Sequence, residues 1–168
     1  DVPLWAIWAL QQYAKETSKE ECLKKYGKFI KSVMLFIEGN HHPNLELHPN
    51  GLLYADGKNK AVTWMNSTAN GKPVVPRSGY IVEFNALWYN ALCFCAALCE
   101  LEGKQERLQH LLELAEKTKQ SFLDTFLNEY GYLYDYVDGN MIDWSVRPNM
   151  IFPVAFDYSP LSQDQKKK

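Results

Sequence analysis

The chain is expected to be all-α, built as two concentric layers of helix that make about half of an α/α barrel. Three observations predict this. Segments that are apolar nearly all round alternate with amphipathic ones along the chain; a helix of the first kind is surrounded, one of the second kind half exposed. Long loops rich in aromatic residues precede the all-round apolar segments, and an α/α barrel gathers its functional loops where the inner helices begin. Only about five helices can be counted, less than half of what a closed ring of six helical hairpins requires. The expectation is therefore one partial domain over residues 1–168, with small β-hairpins in the loops before inner helices. Its uncovered helix faces are expected to drive self-association. An α-solenoid also alternates helices, but it needs a short, fixed-period self-similarity that this chain does not show.

The elements follow in order. Leu4 to Tyr13 is apolar on every side through Leu4, Trp5, Ile7, Trp8 and Leu10, with Pro3 suited to its first turn. Ser18 and Glu21 have capping-box spacing and open an amphipathic helix carrying Leu23, Tyr26, Ile30, Val33, Met34 and Ile37, with Gly39 placed to end it. A loop with His41, His42 and His48 follows; its prolines and scarcity of acidic neighbours argue for an ordinary loop over a metal site. Leu52–Ala55 and Ala61–Trp64 are expected to pair around Asp56-Gly57, a hairpin turn signal. Phe84 to Leu101 is the second all-round apolar helix, ended by Gly103, and Gln105 to Phe126 the second amphipathic one. Tyr132 to Val137 is expected to form a hairpin turning at Asp138-Gly139-Asn140. Met150 to Phe156 is a third apolar segment, kinked by Pro153 if helical, and Ser159 to Ser162 looks like the start of another helix.

Composition excludes several classes. The formal net charge is −2 and no Lys/Arg cluster occupies one face, so nucleic acid is not an expected partner. No apolar stretch is expected to be long and uninterrupted enough to span a bilayer, and Asp1 opens without the basic region of a signal peptide. Cys22, Cys93, Cys95 and Cys99 have no His or second Cys pair at ligand spacing; they are expected to be buried free thiols, which suits a reducing, cytoplasmic compartment. No phosphate loop, metal site or cofactor is indicated.

The stretch richest in chemistry runs from Thr63 to Leu98. Trp64, Asn66, Arg77, Glu83, Asn85, Trp88 and Tyr89 lie within it. Aromatic faces, amides, one cation and one carboxylate are the groups that hold sugars, which present apolar ring faces and many hydroxyls. Trp88 can equally serve as core packing on its helix, and the whole stretch can be a surface loop leading into a core helix. Asp135 and Asp143, on the second hairpin, are weaker candidates for the same funnel.

Four stretches together resemble the C-terminal glucosidase domain of glycogen debranching enzymes: Asp1-Val-Pro-Leu-Trp5, Thr63-Trp-Met-Asn66, Pro76-Arg77 through Glu83-Phe-Asn-Ala-Leu-Trp-Tyr-Asn-Ala-Leu92, and Arg147-Pro-Asn149. Their order and spacing extend the resemblance over essentially the whole chain. It implies an (α/α)6 barrel and hydrolysis of α-1,6-linked glucose at glycogen or starch branch points, with a glucan as partner. In an inverting mechanism two carboxyl groups about 6.5–9.5 Å apart serve as acid and base. The family's acid follows Thr-Trp-Met; here that position is Asn66, and an amide cannot replace a carboxylic acid, whose loss costs about 10²–10⁴-fold. Glu83 as an alternative acid, a branch that binds but hydrolyses poorly, and a different acid position all remain open. The family's base is expected beyond Lys168, so the 168 residues are expected to be inactive alone, as a truncated or processed piece. The resemblance further implies stacking by Trp64 and Trp88, hydroxyl recognition by Asp1, Arg77, Asn85 and Asn149, and either recognition or loop bracing by Arg147.

Overall fold

A computed structural model describes residues 1–167. About half of them are helical, in α1 (Val2–Glu16), α2 (Lys19–Glu38), α3 (Val82–Leu101), α4 (Gln105–Phe126) and α5 (Ile151–Ala155). The expected helix starts and stops are present where local chemistry specifies them. Ser18 Oγ accepts from the Glu21 amide at 3.0 Å, which satisfies one of the free donors at the start of α2. The helix ends at Gly39, yet the left-handed residue is the next one, Asn40 (φ 53°). Asn40 takes that conformation because its side chain pairs with Leu47, accepting from the amide at 2.6 Å and donating to the carbonyl at 3.3 Å.

α3 is the centre of the molecule. Fourteen of its residues are buried, including Trp88 and Phe94, and it packs on α4, α1 and α5. It is also long and apolar enough to cross a membrane, contrary to the expectation that no segment is. Its burial within the protein, with Glu83, Asn85 and Asn90 inside, makes it a core helix. α1 departs from expectation as well: only the Leu4, Ile7, Gln11, Ala14 face is buried. Trp5 and Trp8 are only partly buried and meet Phe156, with Trp5 also edge-on to Phe152. Among the described residues no helix starts at Ser159; a 3₁₀ turn, Gln165–Lys167, follows α5.

The all-α expectation omits a five-stranded antiparallel sheet. Its order is β1 (Leu45–Leu47), β2 (Leu53–Ala55), β5 (Gly79–Ile81), β6 (Tyr136–Asp138), β7 (Met141–Ile142). A separate small hairpin pairs β3 (Thr68–Ala69) with β4 (Lys72–Pro73). The turn at Gly139 is as expected, joining β6 to β7. The other expected hairpin is not formed. β2 pairs with β1 on one side and β5 on the other, so Ala61–Trp64 has no free edge to join. Gly57 is a point of close approach: a Cβ there would lie 1.8 Å from the Arg77 carbonyl oxygen. The sheet thereby brings residues 77–83, 135–143 and the start of α3 together.

Candidate functional site

Asp135 is the residue on which the site is built. It lies at a bend immediately before β6 and is fully buried, and Leu133 before it and Tyr136 after it are buried too. Its backbone is held from both directions: Val82 donates to its carbonyl at 3.1 Å and its amide donates to Asp143 at 3.0 Å. The carboxylate accepts four hydrogen bonds. Oδ2 receives Arg77 Nε and Arg147 Nη1, each at 2.8 Å. Oδ1 receives Arg77 Nη2 at 3.0 Å and Asn149 Nδ2 at 2.7 Å. All of its acceptor sites are filled.

Arg77 is buried between two carboxylates. Its opposite edge makes a two-pronged contact with Glu83, Nη1 to Oε1 and Nη2 to Oε2, the latter at 2.6 Å. Nη1 also reaches Thr63 Oγ1 at 3.5 Å, and Nη2 the Asp135 carbonyl at 3.3 Å. Burial works against the guanidinium charge, but Glu83 and Asp135 overcome it and hold the Arg77 pKa above its ordinary value. Glu83 lies in the first turn of α3 with no exposed surface. Burial pushes its carboxyl above the usual glutamate range, against the pull of Arg77. Both of its oxygens face Arg77, an arrangement that supports the cluster and presents no free oxygen to a substrate.

Arg147 completes the cluster by bridging Asp135 to Asp143, the second contact at 2.9 Å. Burial raises the Asp143 carboxyl, but hydrogen bonds from Ser145 and Arg147 outweigh it and hold the group below its ordinary value. Two cations thus meet three carboxylates. Such a cluster is expensive to desolvate, so it is justified by the geometry it imposes more than by stability.

That geometry reaches the surface at Trp64. Asn149, at the 3₁₀ turn Pro148–Met150 that leads into α5, is itself fully buried. Its Oδ1 accepts from Trp64 Nε1 at 2.9 Å. The Trp64 ring is 45% exposed and rests edge-on against Phe152, so it offers a supported aromatic surface. Thr63 Oγ1 accepts from the Met65 amide at 3.1 Å, and the Asn66 amide donates to the Trp64 carbonyl at 3.0 Å. The side chain of Asn66 is exposed. With Asp1, His42, Lys60 and Phe84 it lines a cleft of about 400 Å³ beside α1 and α2. Asp1 Oδ2 accepts from Trp5 Nε1 at 3.3 Å within the same region.

Two residues expected to touch a substrate are instead spent inside. Asn85 imitates a strand neighbour, accepting from the Leu53 amide at 2.7 Å and donating to the Leu53 and Ile81 carbonyls. Trp88 is fully buried and donates to the Gly51 carbonyl at 3.2 Å. Both tie the sheet to α3, which is a packing role. The loop histidines do not converge on one point: His42 Nδ1 accepts from the Asn44 amide, while His48 Nδ1 bonds the Tyr80 hydroxyl.

Asp135 is the site residue that sequence reasoning underrated. The available signal was a single carboxylate set among Tyr132, Leu133, Tyr134 and Tyr136, an apolar setting that favours burial. A buried carboxylate demands cationic partners, and Arg77 and Arg147 were the arginines already singled out. A comparison with protein families matches residues 1–168, the entire chain, to the family described as Amylo-alpha-1,6-glucosidase. No curated protein matches the chain.

Proposed function

The chain belongs to the Amylo-alpha-1,6-glucosidase family, and we propose that its 168 residues form the substrate-holding part of a glucosidase barrel acting on α-1,6-linked glucose at branch points. The family points to a glycosidase of glycogen debranching. The observation that carries the reading to this chain is the Trp64 surface, held through Asn149 to the buried Asp135–Arg77–Arg147 cluster, beside the cleft that Asn66 and Asp1 line. An aromatic plane next to amides and a carboxylate suits a glucosyl ring, whose face is apolar and whose edge is all hydroxyls.

In this reading α1 and α3 are inner helices of a partial (α/α)6 barrel and α2 and α4 outer ones. The central burial of α3 and the one-sided burial of α2 and α4 support it. Exposed Phe29, Leu35 and Phe36 on α2 favour self-association through faces that a larger assembly covers. Catalysis by inversion needs a proton donor and a separate base. Asn66 has no acidic proton, and Glu83 has both oxygens on Arg77. The 168 residues therefore hold glucan without completing an acid–base pair.

The test is direct. The chain is titrated with a maltooligosaccharide bearing an α-1,6-glucosyl branch while released glucose is assayed. Binding without glucose release is the expected result. Glucose release by the wild-type chain refutes the incomplete-pair reading, and release that persists in Glu83→Gln excludes Glu83 as its acid. The absence of any binding refutes the glucan reading and favours a helical interaction scaffold.

A further inference from the structure

We propose that Asp135 is a positioning residue: through the amide of Asn149 it fixes the face that the Trp64 indole presents to a glucosyl ring. The inference rests on the glucan reading above for the identity of the ligand, but not for the relay itself. An ionised carboxylate only accepts hydrogen bonds, and an indole N–H only donates. An amide set between them has one satisfactory orientation, with Nδ2 toward Asp135 and Oδ1 toward Trp64. That is the arrangement present, at 2.7 and 2.9 Å. Turning the amide over sets oxygen against oxygen and N–H against N–H, losing two hydrogen bonds at once, one of them fully buried.

Asp135 can impose this orientation because it cannot turn. Its remaining acceptor sites are taken by Arg77 and Arg147, and its backbone is tied to Val82 and Asp143. The far end of the relay is equally constrained, since Phe152 supports the indole edge-on. Trp64 thus keeps about half of its surface exposed and still has a defined plane. A tryptophan held only by its backbone loses rotamer freedom on binding and with it part of the affinity.

The relay is read by the indole N–H resonances of the five tryptophans in ¹H–¹⁵N correlation spectra of the whole chain. The Trp64 signal is the one absent from Trp64→Phe. Asn149→Leu, which leaves the Arg77–Asp135–Arg147 contacts in place, is expected to move that signal toward the position of a solvent-bonded indole. Asp135→Asn is expected to move it too, although residue 135 does not touch Trp64. If Asp135→Asn fails to fold, judged by thermal melting, Asp135→Glu is read in its place: it keeps the charge facing Arg77 and Arg147, moves the carboxylate by one methylene, and is expected to shift the same signal.

For affinity toward a branched maltooligosaccharide, Asn149→Leu and Trp64→Phe are each expected to weaken binding about tenfold, the effect of one hydrogen bond. The double variant is expected to be no weaker than either single one, because both cut the same link. A Trp64 signal unmoved in folded Asn149→Leu, or unmoved in the folded variant at position 135, overturns the proposal, and so does additivity in the double variant. A wild-type chain that binds no glucan refutes the functional reading instead, and the indole shifts still decide the relay.

Discussion

Replacing Arg77 by methionine removes the charge that keeps two carboxylates inside the protein. The five N–H groups of Arg77 make six contacts, one N–H of Nη2 being shared: two to the Asp135 carboxylate, one to its carbonyl, two to Glu83 and one to Thr63. Arg147 still faces Asp135 in the variant, so the residue left without a hydrogen-bonded cation is Glu83, which has no exposed surface. Breaking a buried pair by removing one partner costs about 3–5 kcal/mol. A domain of this size has a total stability of about 5–15 kcal/mol, so the variant is expected to be folded but with a much lower urea midpoint at pH 7. The cost should also depend on pH. With Arg77 gone, the Glu83 carboxyl, already raised by burial, moves higher still. The folded variant then binds a proton that the unfolded chain, with an ordinary glutamate, releases above about pH 4.3. Stability falls with pH wherever the native state holds more protons; the deficit therefore shrinks as pH is lowered from 7 toward 5. Adding Glu83→Gln to Arg77→Met should recover part of the loss at pH 7 by removing the stranded charge. A deficit under about 1 kcal/mol at pH 7, or one independent of pH with no recovery in the double variant, refutes the account of Arg77 as counter-charge to Glu83.

Three further outcomes are expected. Gly79→Ala should cost at least about 2 kcal/mol in chemical denaturation, since φ is +95° and a Cβ would lie 2.3 Å from the Val137 carbonyl oxygen in the neighbouring strand. Asn90→Leu should cost about 2–3 kcal/mol: it strands the Gln11 carbonyl oxygen, to which Asn90 donates at 2.5 Å, and the Tyr158 amide. Acidification should destabilise the protein through Asp157, held low by its hydrogen bond to Lys15, and Asp143, held low by Ser145 and Arg147 against burial. Carboxylates with depressed folded pKa contribute stability that is present above the unfolded value of about 3.9 and lost as pH falls through the folded value. The denaturation midpoint should therefore decline below about pH 4, with Asp157→Asn removing well under 1 kcal/mol of the effect because its pair with Lys15 is exposed.

What the sequence revealed of the fold was set by local chemistry. The Ser18 cap, the all-round apolar run of α3, Gly103 beyond it and the turn at Gly139 each depend on residues within a few positions. The sheet was missed because its strands are two or three residues long, too short to establish a period of two against the background. Its pairings also join residues far apart in the chain, such as Tyr80 with Val137. Asp56-Gly57 was a reasonable turn signal that tertiary packing overruled, because that glycine is required where the Arg77 carbonyl crosses. The breadth of α1's apolar surface misled for a different reason. Trp5 and Trp8 are covered only in part, by Phe152 and Phe156, more than a hundred residues later.

The candidate site divides along the same line. Residue types announced a polar aromatic constellation, and Trp64, Arg77, Glu83, Arg147 and Asn149 do converge. Which of them face outward was not readable, because burial of a polar side chain depends on partners that only the fold supplies. Asn85 and Trp88 occupy positions on α3 whose outward neighbours are β2 and Gly51, so their polar atoms complete the sheet. Glu83 shows the consequence for catalysis most clearly. A carboxyl raised by burial is one requirement for a general acid at neutral pH, and burial does push the Glu83 carboxyl upward, against the pull of Arg77. Yet burial alone cannot make an acid: the proton must be deliverable, and here both oxygens are turned toward Arg77. Two inaccessible oxygens, both held by a guanidinium, describe a counter-charge to Arg77. The residue at the accessible position, Asn66, has the exposure and lacks the proton.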